Sequence, residues 1–197
     1  MSKRAFLIHG WDGNPKNAWF PWAKKELEKK DFEVLVPAMP DPEEPEIKSW
    51  VDKLAKTVGN IDGDTYLIGH SIGCQTILRY LEKLSENEKV KAVILVAPWM
   101  SLDEQTIKEE GEDVWEIAKP WIETPIDIEK VKTHSNKFAI VYSTNDPYAN
   151  SDDLLMLKEK LDALTVNAGN KGHFDDDANI KELPEIIDVI DEIESGE

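Results

Sequence analysis

The sequence predicts an α/β domain in which helices cover both faces of a mainly parallel β-sheet. Short apolar runs alternate along the chain with longer segments of helical period, which is typical of this class. With 197 residues, 41% of them hydrophobic, the chain is long enough to form one well-packed core. No break in composition divides it, so we expect a single domain over residues 1–197.

Each apolar run is short enough to be a strand. The longest extends from Ala92 to Met100, is interrupted by Pro98, and is far too short to span a bilayer. Six runs are predicted as strands: Ala5–Ile8, Glu33–Val36, Thr65–Ile68, Ala92–Val96, Phe138–Tyr142 and Leu164–Asn167.

The segments between the apolar runs have the hydrophobic periodicity of α-helices. An early helix is expected to begin near Pro21 and to bury Trp22, Ala23 and Leu27. In the last helix, Pro184 is tolerable only in the first turn, where no N–H is needed. Two further sets of residues each share one helical face: Cys74, Ile77, Leu78, Leu81 and Leu84 after the third strand, and Leu183, Ile186, Ile187, Ile190 and Ile193 near the end.

Two segments do not follow the alternation of runs and helices. One is the proline-rich loop Pro37–Pro45, and the other extends from Trp99 to Asn136, which is too long for a plain crossover. Because it combines tryptophans with many charges between two core strands, residues 99–136 are a candidate lid or cap over a pocket. A crossover helix with additional turns is the alternative.

Charge and cysteine content limit the possible partners. The formal net charge of −17 would repel nucleic acids and anionic membrane surfaces, so neither is expected as a partner. Cys74 has no second cysteine to pair with, and the N-terminus passes directly into an apparent strand. We therefore expect a cytoplasmic protein. We also expect it to be either a monomer or a small homo-oligomer.

The pentapeptide Gly69-His70-Ser71-Ile72-Gly73 is the first candidate for a catalytic motif. A GxSxG pattern alone is a weak signal, but this one follows a predicted strand and precedes a predicted helix. That context is typical of a nucleophile elbow, which displays the serine hydroxyl at the carboxyl end of a sheet. Side chains at residues 69 and 73 would collide with neighbouring backbone in so tight a turn, and Ser71 would adopt an unfavourable backbone conformation.

A serine nucleophile needs a histidine base, and the expected chain order is serine, acid, histidine. Of the four histidines, His9 and His134 do not fit this order, and we expect His70 to point away from the serine. His173 remains. It lies in NAGNKGHFDDD, after the last predicted strand and before the last helix, where a loop at the top of the sheet would present a base.

The acid should follow the strand that precedes His173. Asp146, in STNDPYANSDD, is the first carboxylate after FAIVY and is our prediction. Asp152 and Asp153 are explained as the N-cap and first-turn carboxylates of a helix. Asp175–Asp177 follow the histidine, so we interpret them as the solvated start of the last helix, whose field would disfavour anionic substrates.

Acyl transfer also needs donors for the developing oxyanion. We expect one to be the backbone N–H of Ile72 and the other the backbone N–H of Trp11, since His9-Gly10 lets the backbone approach the serine. Trp11, Trp99 and Met100 are expected to line the substrate pocket.

Cys74 is a possible rival nucleophile, but its helical phase with Ile77, Leu78 and Leu81 predicts a small buried core residue. The histidines are scattered, and no cluster shows the spacing of metal ligands. We expect neither a metal nor a cofactor.

Taken together, the motifs resemble those of a known family. FLIHGWDGN, WFPWAKKELEK, VLVPAMPDP, YLIGHSIGCQTILRYLE, VILVAPW, the NDPY loop and GHF are similar to the small serine hydrolases grouped with retinoblastoma-binding protein nine and bacterial YdeN. The resemblance implies a compact α/β-hydrolase fold and a triad of Ser71, Asp146 and His173. It is weakest between Ser101 and Asn136. The Leu-x-Cys-x-Glu motif of the retinoblastoma-binding member is absent, so that partner is not expected here.

We therefore predict an α/β hydrolase of six mainly parallel strands in the order 2-1-3-4-5-6. It would hydrolyse a small-molecule carboxylic ester, thioester or amide through an acyl-serine intermediate. Two alternatives remain open: a protein-interaction module that retains an idle triad, and an acyltransferase.

Overall fold

A computed structural model describes residues 3–196. Within them, six parallel strands form one sheet in the order β2-β1-β3-β4-β5-β6, which confirms the predicted order. The strands are β1 (Lys3–Ile8), β2 (Phe32–Leu35), β3 (Thr65–His70), β4 (Ala92–Val96), β5 (Phe138–Tyr142) and β6 (Leu164–Asn167). All six predicted strands are present, with ends that differ from the prediction by two residues or fewer.

Helices cover both faces of the sheet. They are α1 (Phe20–Glu28), α2 (Ile47–Val58), α3 (Ile72–Glu82), α4 (Glu104–Glu110), α5 (Glu112–Glu123), α6 (Ile128–Lys132), α7 (Ser151–Leu161) and α8 (Pro184–Ser195). Successive strand side chains point to opposite faces, so two apolar cores form. Helices α1 and α8 cover the core that contains Leu7 and Ile68, while α2, α3, α5, α6 and α7 cover the core that contains Leu67 and Val93.

The sequence patterns predicted most helical faces correctly. Pro184 begins α8, as its missing N–H requires, and the residues predicted for that helix pack on the sheet. Trp22 corrects the prediction for α1, because it is only partly buried while Phe20, Ala23 and Leu27 form the buried face. Leu84 lies beyond the end of α3 and packs on the core from a turn.

The proline-rich loop Pro37–Pro45 is held by tryptophan side chains. The indole N–H groups of Trp11, Trp50 and Trp121 donate to the carbonyls of Glu43, Pro40 and Pro45, at 2.8 to 2.9 Å. Prolines contribute carbonyls without N–H groups, so the loop has fewer backbone donors than acceptors. The indoles supply these donors and anchor the loop next to the end of β1.

The crossover from β4 to β5 is more than a single helix. It contains α4, α5 and α6, of which α5 and α6 contribute Ala118, Trp121, Ile128 and Val131 to the core. Residues of α4 and α5 also face the cavity described below. Both interpretations of residues 99–136, a lid or cap over a pocket and a crossover helix with additional turns, therefore stay predictions.

Across residues 3–196, no helix is both long enough and apolar enough to cross a membrane.

Candidate active site

Ser71 stands on a strained turn between β3 and α3. Its φ of 54° and ψ of −124° are unfavourable for a residue with a side chain, and its N–H donates to the Val96 carbonyl at 2.9 Å. A Cβ atom added at Gly69 would lie 2.8 Å from the backbone of Gly73 and Cys74, and one at Gly73 would lie 2.4 Å from the Ile8 carbonyl oxygen. The flanking glycines are therefore required by close backbone approach.

A continuous chain of hydrogen bonds joins Ser71, His173 and Asp146. His173 Nε2 lies 2.8 Å from Ser71 Oγ, and His173 Nδ1 lies 2.9 and 3.0 Å from the two carboxylate oxygens of Asp146. A carboxylate only accepts, so Nδ1–H donates to Asp146, which leaves Nε2 to accept the hydrogen bond of the Ser71 hydroxyl. The structure thus brings together the three residues predicted for this role, from loops far apart in the sequence.

The loop after β5 holds Asp146 in place. The Asp146 side chain is 2% exposed. Its Oδ1 also accepts from the backbone N–H groups of Tyr148 at 3.0 Å and Ala149 at 3.3 Å. The Tyr148 ring packs edge-on against His173, with centroids 4.8 Å apart, and its hydroxyl donates to Glu110 on α4. Burial, and then the hydrogen bond to Glu110, raise the pKa of Tyr148 to about 12. Tyr148 therefore connects the histidine to the segment over the site.

His70 contacts the loop of the predicted base, and within the described residues its ring makes no hydrogen bond to Ser71. Its Nε2–H donates to the His173 carbonyl at 2.6 Å, and its ring is 5.0 Å from the His173 ring. Burial, and then repulsion from His173, lower the pKa of His70 to about 3. His70 therefore remains neutral and holds the backbone of His173 without adding a positive charge beside it.

The backbone of Gly10 crosses directly over the elbow. A Cβ at this position would lie 3.0 Å from the His70 ring and 3.1 Å from Ser71 Cβ, so only glycine fits without displacement. The Gly10 carbonyl accepts from His9 Nδ1 at 2.8 Å and from the Gly13 N–H at 3.1 Å. In a trans peptide the N–H points opposite to the carbonyl, so these bonds also determine the direction of the Trp11 N–H.

The two predicted oxyanion donors have free N–H groups. Within residues 3–196, neither the Trp11 N–H nor the Ile72 N–H donates to another group of the protein. Ile72 is the first residue of α3, where the helix dipole also favours negative charge. His9, which orients the Trp11 peptide, is buried, and this burial lowers its pKa. It is neutral, since Nε2 accepts from the Met39 N–H at 3.0 Å.

A cavity of about 560 Å³ opens above Ser71 and His173. Trp11 and Trp99 line it, together with Leu102 of the segment before α4 and residues of α4 and α5. Met100 is not among the described residues that line it, which corrects that prediction. Its side chain packs against the core, and its N–H donates to Asp153 at 2.7 Å.

Two acidic groups have partners that the sequence did not indicate. Asp153 is more than a first-turn carboxylate, because its Oδ2 accepts from the N–H groups of Met100 and Ser101 and from the Ser101 hydroxyl. Asp175–Asp177 precede α8 in turns and do not form its first turn. Asp176 accepts from Asn17 and from the Ala18 N–H and pairs with Lys181, so it connects two loops at the rim of the cavity.

Cys74 is buried, as predicted, and its thiol donates to the Val96 carbonyl at 3.3 Å. Burial raises the pKa of this thiol, which disfavours the reactive thiolate. In the described part of the chain, no group of three or more His, Cys, Asp and Glu residues could hold a metal ion.

Sequence reasoning missed the parts played by His70 and Tyr148. It also missed the hydrogen bond that the Trp99 indole N–H donates to Ser71 Oγ. Two signals were available in the sequence. His70 is the immediate neighbour of the elbow serine, and Tyr148 comes two residues after Asp146 in a loop at the top of the sheet. Neither signal specifies a contact, because the partner in each case lies on a different loop.

The sheet order, the serine elbow and the cavity above it define an α/β hydrolase. The crystal structure of the ydeN gene product of Bacillus subtilis has the same fold, with a TM-score of 0.87 and 28% identity over 98% of this chain and 100% of that one. A carboxylesterase of the thaumarchaeon Nitrososphaera gargenis shares the fold at a TM-score of 0.74 and 15% identity, over 98% of this chain and 90% of its own.

Residues 5–192 match the serine hydrolase family, and the chain belongs to that family. It is 30% identical to the YdeN protein of Bacillus subtilis (strain 168) over 193 residues, which cover 96% of this chain and 95% of that protein. The serine hydrolase RBBP9 of Rattus norvegicus is 28% identical over 191 residues, covering 95% and 93% of the two chains. These matches confirm the resemblance noted from the motifs.

Proposed function

We propose that this serine hydrolase cleaves small carboxylic esters, or the related thioesters and amides, through an acyl-serine intermediate. The observation that carries the proposal is the chain of hydrogen bonds from Ser71 Oγ through His173 to Asp146, at the base of an open cavity. The carboxylesterase with the same fold supports an ester as the substrate class.

In the first half of the reaction, Ser71 Oγ forms a bond to the acyl carbon as its proton passes to His173 Nε2. The N–H groups of Trp11 and Ile72 stabilise the oxyanion that develops on the former carbonyl oxygen. When the tetrahedral intermediate collapses, the leaving alcohol takes the proton from His173 and departs. Asp146 keeps His173 in the Nδ1–H tautomer and stabilises its positive charge.

In the second half, water replaces the alcohol. It gives a proton to His173 while its oxygen attacks the acyl carbon, and the same N–H groups stabilise the second oxyanion. Ser71 Oγ then leaves, takes the proton back from His173, and releases the carboxylic acid. The sequence of steps restores the enzyme with no other reactant than water.

The test is covalent labelling with a fluorophosphonate. Its phosphorus is attacked by an activated serine with loss of fluoride, and the adduct is stable. We expect intact-protein mass spectrometry to show one adduct, and peptide mapping to place it on Ser71.

Two variants serve as controls for the labelling. Ser71→Ala should prevent it. Ser135→Ala removes another buried serine hydroxyl, which bonds to backbone carbonyls away from the cavity, and should leave it unchanged. A folded wild-type protein that remains unlabelled would contradict the proposal and favour an interaction module with an idle triad.

The charge around the cavity predicts a preference among substrates. Seven of its lining residues are Asp or Glu, and no Lys or Arg is among the described residues that line it. Comparison of p-nitrophenyl hexanoate, its hemiadipate analogue and its 6-trimethylammonio analogue should therefore give kcat/KM values that rise from anion to neutral ester to cation. We expect about tenfold or more between the extremes at low salt, and less at high salt.

Matched charge variants separate the local field from the net charge. Asp113→Asn combined with Asp177→Asn removes two carboxylates that line the cavity, and should reduce the preference. Asp52→Asn combined with Asp191→Asn changes the net charge by the same amount. These two residues lie on α2 and α8, outside the residues that line the cavity, so this variant should keep the substrate preference of the wild type. Equal rates for the three esters would show that the carboxylates do not influence the substrate.

A further inference from the structure

The indole N–H of Trp99 donates a hydrogen bond to Ser71 Oγ, at 3.1 Å. The ring is 3% exposed and borders the cavity above the serine. We propose that Trp99 is a catalytic residue, whose N–H orients the attacking lone pair of Ser71 and stabilises negative charge on Oγ. This inference rests on the proposed function, because it assigns a role in the same reaction.

The geometry of a hydroxyl group explains the orienting effect. A serine oxygen has four tetrahedral directions: its bond to Cβ, its proton, and two lone pairs. In Ser71 the proton points to His173 Nε2 and one lone pair accepts from Trp99, so a single lone pair is left for the acyl carbon. Without the indole donor, the hydroxyl would have two equivalent lone pairs, and the direction of attack would be less restricted.

The electrostatic effect acts in both halves of the reaction. As the proton moves from Oγ to His173, negative charge develops on Oγ, and an N–H donor already in place stabilises it. The same donor stabilises Oγ when it leaves the acyl carbon at the end of deacylation. A hydrogen bond to an atom that becomes charged is worth more than one to a neutral atom, so the effect is larger in the transition state than in the resting enzyme.

The backbone around Trp99 is held from both sides. Gln75 Nε2 on α3 donates to the Trp99 carbonyl at 3.0 Å, and the next two N–H groups along the chain donate to Asp153 on α7. Gln75 is fully buried and in turn accepts from Arg79. A donor held this firmly needs little reorganisation during the reaction, which is the condition under which a hydrogen bond to a reacting atom is effective.

Three other tryptophans, whose indole N–H groups bond to the proline-rich loop, differ from Trp99 in this respect. Trp11, Trp50 and Trp121 all donate to backbone carbonyls of Pro37–Pro45, where their N–H groups have a structural partner. The Trp99 N–H instead bonds to the side chain of the elbow serine. Packing alone explains a buried indole ring at this place, but it does not explain why the N–H lies on the nucleophile.

The test replaces the donor while keeping the ring. Incorporation of 3-benzothienylalanine at position 99 substitutes sulfur for the indole N–H with little change in shape, and Trp99→Phe removes the donor by ordinary mutagenesis. For both, we expect the rate constant of fluorophosphonate labelling, and kcat for p-nitrophenyl hexanoate, to fall about 10- to 100-fold. KM should change little in the benzothienyl protein, because the lost bond is to Oγ and not to the substrate.

Trp121→Phe is the matched control, because it also removes a buried indole and one N–H bond, but to the Pro45 carbonyl. We expect its labelling rate within about twofold of wild type, and thermal denaturation identifies any loss of stability in either phenylalanine variant. A benzothienyl protein that labels and turns over at the wild-type rate would overturn the role of Trp99, while labelling of the wild type would still support the proposed function. An unlabelled wild type would instead contradict the proposed function itself.

Discussion

Replacement of Ser71 by alanine is expected to lower kcat by about five to six orders of magnitude, the value for residues that act as one catalytic unit. The reason is that alanine offers no atom to form the acyl intermediate, while His173, Asp146 and the backbone donors remain. Residual turnover would come from water attacking the bound ester within the cavity. The measurement is initial-rate hydrolysis of p-nitrophenyl hexanoate over a range of substrate concentrations.

Stability of the Ser71→Ala variant should differ little from wild type. Alanine has to adopt the same φ of 54°, so the backbone strain remains. The substitution leaves His173 Nε2 and the Trp99 N–H without their serine partner, but both side chains border an open cavity that admits water. Chemical denaturation checks this point, and Ser135→Ala provides the matched comparison.

Retention of more than about one per cent of kcat in a folded Ser71→Ala protein would rule out Ser71 as the nucleophile.

Asp146→Asn has the second largest expected effect, a fall in kcat of about 10⁴-fold. Asp146 Oδ1 accepts from two backbone N–H groups, so the asparagine oxygen should remain there and its NH₂ group should replace Oδ2, which lies 3.0 Å from His173 Nδ1. An NH₂ group cannot accept from Nδ1–H, and it favours the tautomer with the proton on Nε2. His173 would then present a proton to Ser71 and could not accept one.

The matched control for Asp146→Asn is Asp127→Asn. Asp127 also accepts a backbone N–H, that of Lys130 at the start of α6, but it is outside the residues that line the cavity. Both variants lose one carboxylate charge and keep one side-chain oxygen. We expect the Asp127 variant to retain wild-type kinetics, and a similar loss in both variants would contradict a specific role for Asp146.

Much of the fold could be predicted because its signals are local. Apolar runs identified the six strands, and alternation with helical periods indicated a parallel sheet. Gly69 and Gly73, two positions before and after Ser71, indicated the elbow. The tight turn that requires them is formed by a few successive residues. Chain order and position in loops at the top of the sheet were sufficient to select Asp146 and His173, which the structure places within hydrogen-bond distance of one another.

Predictions were less successful where a contact joins two loops. Met100 is predicted to line the pocket, but its N–H donates to Asp153 on another helix and its side chain packs against the core. The carboxylates after His173 were interpreted as a helix start, whereas Asp176 connects two loops at the rim. Periodicity contains no information on such contacts.

The sequence by itself therefore determined the strands, the elbow and the residue types available at the top of the sheet. Only the tertiary structure decided that His70 holds the carbonyl of His173, and that the Trp99 N–H lies on Ser71 Oγ. Elements form through interactions between near neighbours in the chain, which a sequence pattern records. These two contacts join residues 103 and 28 positions apart, and they depend on how the loops converge once the sheet has assembled.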